Sequence, residues 1–163
     1  MTSEDFIIRE IASKDNSQLA KVIRSVILEM GAPKIGTAYE DKATDQMFET
    51  YQKEKATYFV VEYNNEVVGG AGIAQLDNFE GNICELQKMY FLPVARGIGL
   101  GAKLIAVCLE KAKEFGFENC YLETLPYMKA AVKLYQKYGF KNLNAPMGNT
   151  SHYSCNVWMI KKI

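Results

Sequence analysis

Apolar and polar positions alternate along the chain with two periods, and the changes from one to the other mark out the elements. Phe6 to Ile11 alternates as a first strand, and Asp15-Asn16-Ser17 then offers capping groups to a helix whose Leu19, Val22, Ile23, Val26, Ile27 and Met30 form one apolar stripe. Gly31 and Pro33 end it, and GAPKIGTAYED reads as a loop. Asp41 to Lys55 reads as a mostly polar helix turning on Met47, Phe48 and Tyr51. Ala56 to Tyr63 and Glu66 to Leu76 are strands joined by the turn Asn64-Asn65, the second weakened by Gly69, Gly70 and Gly72. Those glycines mark a bulge, a close approach, or space for a bulky neighbour from a packed helix.

From Asn82 a strand interleaves Glu85, Gln87 and Lys88 with apolar residues until Pro93 closes it. Glu85, Gln87 and Met89 are expected on one face. The helical period returns at Leu100 and continues through Leu104, Val107, Cys108, Ala112 and Phe115 to Gly116. Asn119 to Thr124 is a fifth strand, Pro126 suits the first turn of a helix ending at Gly139, and Phe140 to Leu143 and Tyr153 to Ile160 are terminal strands. Strand, helix, strand and helix in succession imply parallel pairing in this half, whereas the early hairpin implies antiparallel pairing. The expectation is a single α/β (α+β) domain spanning residues 1–163, with a mixed sheet flanked by helices.

Composition supports one core. With 163 residues, 48% of them hydrophobic, the chain is long enough for one sizeable core and short for two domains. Nineteen basic residues balance nineteen acidic ones, which removes the main argument for broad nucleic-acid or membrane-surface binding. The beginning, MTSEDFIIRE, is acidic and lacks a long apolar core, and Cys84, Cys108, Cys120 and Cys155 are widely spaced, so the default setting is reducing and cytoplasmic. The cysteines then read as small core hydrophobes.

Between the strand ending near Phe91 and the helix starting at Leu100 lies Arg96-Gly97-Ile98-Gly99-Leu100-Gly101. Alternate glycines strip side chains from the first turn, leaving unpaired amides at a positive helix end, and Arg96 adds a forked cation. Such a turn suits a phosphate or pyrophosphate. It is not a P-loop, because Ala102 and Lys103 follow Gly101 where Lys-Ser/Thr would be needed. As GxGxG deep in the chain it is also a poor match to the dinucleotide fingerprint GxGxxG.

This turn resembles the Q/R-x-x-G-x-G/A signature of the GNAT superfamily of acyl-CoA-dependent N-acetyltransferases, and Ala130-Ala131-Val132-Lys133-Leu134-Tyr135-Gln136-Lys137-Tyr138-Gly139-Phe140 is similar to a second motif of that family, A-x-x-L-Y-x-x-x-G-F. The resemblance implies a GNAT-like, mostly antiparallel sheet with coenzyme A in a cleft between central strands. Acetyl-CoA would be the co-substrate, its pyrophosphate on Arg96, Gly97, Ile98, Gly99, Leu100, Gly101 and Ala102, and its pantetheine arm beside Met89, Tyr90 and Phe91 like an added strand. It implies Tyr135 as the acid that protonates the departing thiolate, since a phenol of ordinary pKa near 10 holds its proton at neutral pH. From the apolar stripe, Ala131, Leu134 and Tyr138 are expected to face the core with Tyr135 at the flank. Met128 departs from the family, many of whose members carry asparagine seven residues before this tyrosine.

The acceptor amine must lose a proton, and Glu85, four residues before Met89, matches a general-base glutamate of some members of the family. Glu123, His152 and water remain open for that role, and Tyr39, Glu40 and Asp41 are candidates for acceptor contact. His152 is the only histidine and no Cys/His/carboxylate cluster has ligand spacing, so no metal is expected. Lys129, Lys133, Lys137 and Lys141 read as a solvated basic face, one of which could meet the coenzyme's ribose phosphate. The function implied is transfer of an acetyl group from acetyl-CoA directly to a primary amine of a small molecule or peptide, with a homodimer left open. A non-catalytic acyl-CoA-binding sensor is the alternative, and a thioesterase-like enzyme with a cysteine nucleophile ranks last.

Overall fold

The computed structural model describes residues 1–163. Its strands are β1 (Ile7–Glu10), β2 (Thr57–Tyr63), β3 (Glu66–Gln75), β4 (Ile83–Phe91), β5 (Asn119–Thr124), β6 (Lys141–Leu143) and β7 (Val157–Lys162). The helices are α1 (Asn16–Glu29), α2 (Met47–Thr50), α3 (Leu100–Glu114) and α4 (Lys129–Lys137). All seven strands form one sheet in the order β1-β2-β3-β4-β5-β7-β6, antiparallel at every junction except the parallel pair β4 and β5. The expected mixed, mostly antiparallel sheet is therefore present. No helix is long and apolar enough to cross a membrane.

Each face of the sheet buries one apolar layer. Leu100, Leu104, Ile105, Cys108 and Ala112 of α3 cover Ile73, Cys84, Leu86, Cys120, Leu122 and Met159 on one side. On the other, Leu19, Val22, Ile23, Val26 and Ile27 of α1 pack on Val60, Val67 and Ala74. Burying each of these large aliphatic side chains contributes roughly 1.5–3 kcal/mol before the entropy of ordering is set against it.

The structure corrects three element boundaries. Asp41 to Lys55 is not one helix: a 3-10 turn at Lys42–Asp45 precedes the single turn of α2. With few apolar positions it has no stripe to bury, and its polar groups bond elsewhere: the Thr44 hydroxyl donates to the Ala38 carbonyl at 2.6 Å, and Arg24 grips Asp45. Likewise α4 begins at Lys129, because Leu125 to Met128 closes a turn through Met128 N–H to Leu125 O. Tyr153 lies outside β7, in a turn where Ser154 bonds Ile35 and Gly36 instead of a strand.

Two irregularities shape the centre of the sheet. The ladder between β4 and β5 runs only from Ile83 opposite Asn119 to Glu85 opposite Tyr121, after which the strands part. On the other side of β4, Gln87 pairs with Gly72 but Tyr90 with Gly70, so Lys88 and Met89 stand against the single residue Ala71. This is a β-bulge, and Lys88 adopts φ +49°, a left-handed conformation that costs a side-chain-bearing residue on the order of 1 kcal/mol.

Candidate active site

The parting of β4 and β5 leaves a cleft walled by Leu86, Lys88, Met89 and Tyr90 on one strand and Leu122, Glu123 and Thr124 on the other, with Thr37, Met128, Tyr135 and Cys155 closing it. A larger hollow of about 510 Å³ lies between the ends of β1 and β2 and the last turn of α3. Its wall contains neither Glu85, Met89 to Phe91, the glycine turn nor Tyr135, whereas the cleft has Met89, Tyr90 and Tyr135 in its wall and opens next to Glu85, the last residue of β4 paired with β5.

The bulge decides which residues face which way. Glu85 and Gln87 share a face as expected, but Met89 does not join them. Met89 and Phe91 pack into the α3 layer and Tyr90 into the α1 layer, because the extra residue reverses the alternation beyond Lys88.

At the end of β4 the glycine turn leads into α3. Gly97 and Gly99 have φ +76° and +84°, and a Cβ on either would meet nothing within 4 Å, so their backbone borders open space. Gly101 does other work: a Cβ there would come within 2.7 Å of Leu134 and 3.4 Å of Met89, so it lets α3, α4 and β4 pack closely. The amides of Gly97 to Ala102 have no hydrogen-bond acceptor within the chain. Six unspent donors at a helix N-terminus make an anion cradle. The Arg96 guanidinium is otherwise engaged. Its fork holds both Glu29 oxygens at 2.7 and 2.9 Å and its Nε donates to Phe91 O at 2.9 Å, tying α1 to the end of β4 instead of standing open beside the turn.

Tyr135 is the one residue that α4 buries, at 6% exposure, with its ring edge-on to Phe140. Ala131, Leu134, Tyr135 and Tyr138 form a single i, i+3, i+4, i+7 stripe, which puts Tyr135 at its centre and not at the flank. Burial pushes its phenol above the ordinary value, so it carries its proton at any physiological pH. Its hydroxyl bonds no other residue and is not among fully enclosed polar atoms, which leaves it available on the cleft. Met128 offers only its sulfur, 3.8 Å from the Thr124 hydroxyl.

Glu85 is 6% exposed. Burial pushes its carboxyl up to about 7, against the opposing pull of the Gln87 amide, which donates to Oε1 at 2.7 Å; the nearby Glu123 charge pushes the same way as burial. A carboxyl with that pKa exchanges protons readily near neutrality. Glu123 is held differently, accepting from the Tyr121 hydroxyl at 2.6 Å and from Thr150. That leaves it more fully committed than Glu85.

The loop after α1 and the long connection between β6 and β7 come together beside these carboxylates. Asp41 Oδ2 lies 2.6 Å from His152 Nε2 and 3.2 Å from the Lys88 ammonium. Burial drives the Asp41 carboxyl up, but the His152 hydrogen bond and the Lys88 charge outweigh it and hold the group below the ordinary carboxylate value. Of the other loop candidates, Glu40 accepts from the Gly36 amide at 2.7 Å, and the Tyr39 ring lies under Arg24 and Lys34. Lys129, Lys133, Lys137 and Lys141 are exposed.

Residues that the periodicity did not bring forward complete the site. Tyr51 donates to Gln87 Oε1 at 2.6 Å, and Tyr58 donates to the Lys88 carbonyl at 2.7 Å. In the sequence Tyr51 stands only as an apolar position of an expected helix and Tyr58 within a strand, and the run of β3 glycines makes room for both. The neighbours that fill that room come from the adjacent strand and from the turn after α2.

Comparison with known proteins gives a consistent picture. Residues 26–140 match the model of the acetyltransferase (GNAT) family. The chain is 44% identical over 159 residues to the uncharacterized N-acetyltransferase YjgM of Escherichia coli (strain K12), covering 96% of this chain and 95% of that one. It is 32% identical over 115 residues to the IAA acetyltransferase of Azospirillum brasilense, covering 71% of this chain and 73% of that one. A GNAT-family acetyltransferase of Staphylococcus aureus Mu50 has the same fold, with a TM-score of 0.85 at 22% identity over 96% of this chain and 98% of that one. So does a Salmonella typhimurium structure that holds acetyl-CoA as its cofactor, with a TM-score of 0.76 at 20% identity over 97% of this chain and 94% of that one.

Proposed function

The chain belongs to the GNAT family of acetyltransferases, and we propose that residues 1–163 work as one N-acetyltransferase domain that moves the acetyl group of acetyl-CoA directly onto a primary amine of a small molecule or peptide. The observation that carries this reading is the parting of β4 and β5, with unspent helix-end amides at its far end and the Glu85 carboxyl and Tyr135 phenol beside it.

Acetyl-CoA supplies the acetyl group as a thioester. The backbone of Arg96 to Ala102 takes the pyrophosphate, and the open edge of β4 at Met89, Tyr90 and Phe91 takes the pantetheine arm by main-chain bonds and polarises the thioester carbonyl. A lysine-like amine has an ordinary pKa around 10.4 and arrives protonated. Glu85 accepts its proton, directly or through water, and the neutral nitrogen attacks the thioester carbon held beside it. As the carbon–sulfur bond breaks, Tyr135 gives its proton to the departing thiolate and the nitrogen sheds its second proton to solvent; Tyr135 then recovers a proton from solvent and Glu85 releases its own there. No acyl-enzyme is needed. Cys155, the one cysteine in the cleft wall, has its thiol pushed up to about 12 by burial and the nearby carboxylates, which makes it a poor nucleophile. A cytoplasmic setting, in which the free thiols of Cys84, Cys108 and Cys120 stay reduced, goes with this reading.

Titration calorimetry with acetyl-CoA, followed by thiol release against a panel of amines, tests it. Binding with amine-dependent release is expected. Absence of binding would remove the reading of the glycine turn, and binding without release from any amine would make the protein a sensor.

A further inference from the structure

Two tyrosines that no step of the transfer touches are nevertheless bonded to its machinery. Tyr51, in the turn after α2, and Tyr58, in β2, are buried with ring centroids 5.2 Å apart. Both lie on the glycines of β3. A Cβ on Gly70 would come within 2.6 Å of the Tyr58 ring, and one on Gly72 within 2.6 Å of Tyr58 and 3.1 Å of Tyr51. A side chain at Gly72 would displace both rings, and one at Gly70 would displace Tyr58. Seated there, the two hydroxyls reach past β3 to successive residues of β4, Gln87 and Lys88.

Each bond removes one freedom. With Gln87 Oε1 occupied by the Tyr51 hydroxyl, the amide presents its NH2 to Glu85, whereas a flipped amide would set a carbonyl oxygen against the carboxylate. With the Lys88 carbonyl held by Tyr58, the left-handed residue that begins the bulge is fixed, and with it the direction of Met89 and the residues beyond.

We propose that Tyr51 and Tyr58 are positioning residues with separate duties, Tyr51 setting the proton affinity of Glu85 through Gln87, and Tyr58 setting the coenzyme-binding edge of β4 through the bulge. Gly70 and Gly72 are the seat that makes both possible. The inference rests on the roles given above to Glu85 and to Met89, Tyr90 and Phe91. The groups facing Glu85 are Lys88 on its own strand, Tyr121 and Glu123 on β5, and His152 and Cys155 from the β6–β7 connection, with Tyr51 above. Removing one hydroxyl leaves that charged background in place.

The test reads two quantities that need no identified acceptor: the titration midpoint of the Glu85 carboxyl by carbon-13 NMR, its signal identified by its loss in Glu85→Gln, and acetyl-CoA affinity by calorimetry. Tyr51→Phe should raise the midpoint by about half a pH unit or more and leave affinity within about twofold. Gln87→Leu should raise the midpoint as well, and the double substitution no further than Gln87→Leu alone, because Tyr51 acts through that amide. Tyr58→Phe should weaken acetyl-CoA about fivefold, the worth of one hydrogen bond, and leave the midpoint in place. An unmoved midpoint in Tyr51→Phe, additive shifts in the double variant, or both tyrosine variants moving both readouts alike would overturn the proposal. If Tyr58→Phe fails to fold, the Tyr51 arm decides alone. A protein that bound acetyl-CoA but acetylated no amine would sink the transfer reading and leave these readouts standing.

Discussion

Asp41 and His152, 111 positions apart in the chain, meet with 2.6 Å between Oδ2 and Nε2, and the bulge residue Lys88 reaches the same carboxylate oxygen at 3.2 Å. One carboxylate thus joins the loop after α1, the β6–β7 connection and the distorted part of β4. The Asp41 carboxyl lies below its ordinary value, so what it contributes to stability is present above the unfolded value near 3.9 and is lost as pH falls through the lower folded value. Asp41 therefore stays ionised throughout the neutral range.

His152→Ala should release the β6–β7 connection from that junction. The acceptor KM is expected to rise about tenfold, with acetyl-CoA affinity unchanged in calorimetry. An equal loss of coenzyme affinity would show that the junction supports the whole cleft and not its acceptor side.

Glu85→Gln should lower kcat by about 10²-fold and abolish the rise of activity through pH 7 expected of the native chain. Stability carries the opposite sign. Between the unfolded value near 4.3 and the folded value of about 7, the native state keeps a proton that the unfolded chain has released, so raising pH through this window destabilises the fold. In denaturant titrations Glu85→Gln should flatten that slope. A wild-type pH profile in the variant would hand the base role to another group.

Tyr135→Phe should cut kcat by about 10²-fold while acetyl-CoA binds as before, since the ring and its contact with Phe140 remain. The loss should ease with acyl thioesters whose leaving thiol is more acidic. Full turnover at every pH would remove the acid assignment.

Gly99→Glu places a side chain where φ is +84° and a carboxylate beside the cradle of free amides. Acetyl-CoA binding should fall below detection by calorimetry, with far-UV dichroism like the parent's. Retained affinity would mean the phosphates lie elsewhere.

The strands, the long helices and the glycine turn are legible in the chain because each is encoded locally, by period, by glycine and by proline. Tyr135 is legible through its motif, though its burial is not: Ala131, Leu134, Tyr135 and Tyr138 all fall on one helical stripe, and only packing against Phe140 and the sheet decides which lies deepest. A bulge is among the readings that the β3 glycines allow, and the register shift does fall at Gly70 and Gly72, but the place of the extra residue at Lys88 of β4 could not be read. It depends on the register of β4 against β3 and on a hydroxyl 30 positions away on Tyr58. Arg96 shows the converse. Its place in the turn suggested an open cation, but Glu29, 67 positions away, takes the fork. Asp41 and His152 were single polar residues on separate loops until the fold brought them together.

The three-residue ladder between β4 and β5 has a consequence for how the molecule holds together. β1 to β4 form an antiparallel meander, and β5, β7 and β6 a second antiparallel group, so the sheet is two panels joined along a short seam, with a free strand edge in its interior as well as those of β1 and β6 at its rim. Interior edges of this kind invite an extended chain to complete them. A ligand arm laid along β4 lengthens the seam, so occupancy should couple the two panels mechanically, and amide exchange should become cooperative across them only when the gap is filled.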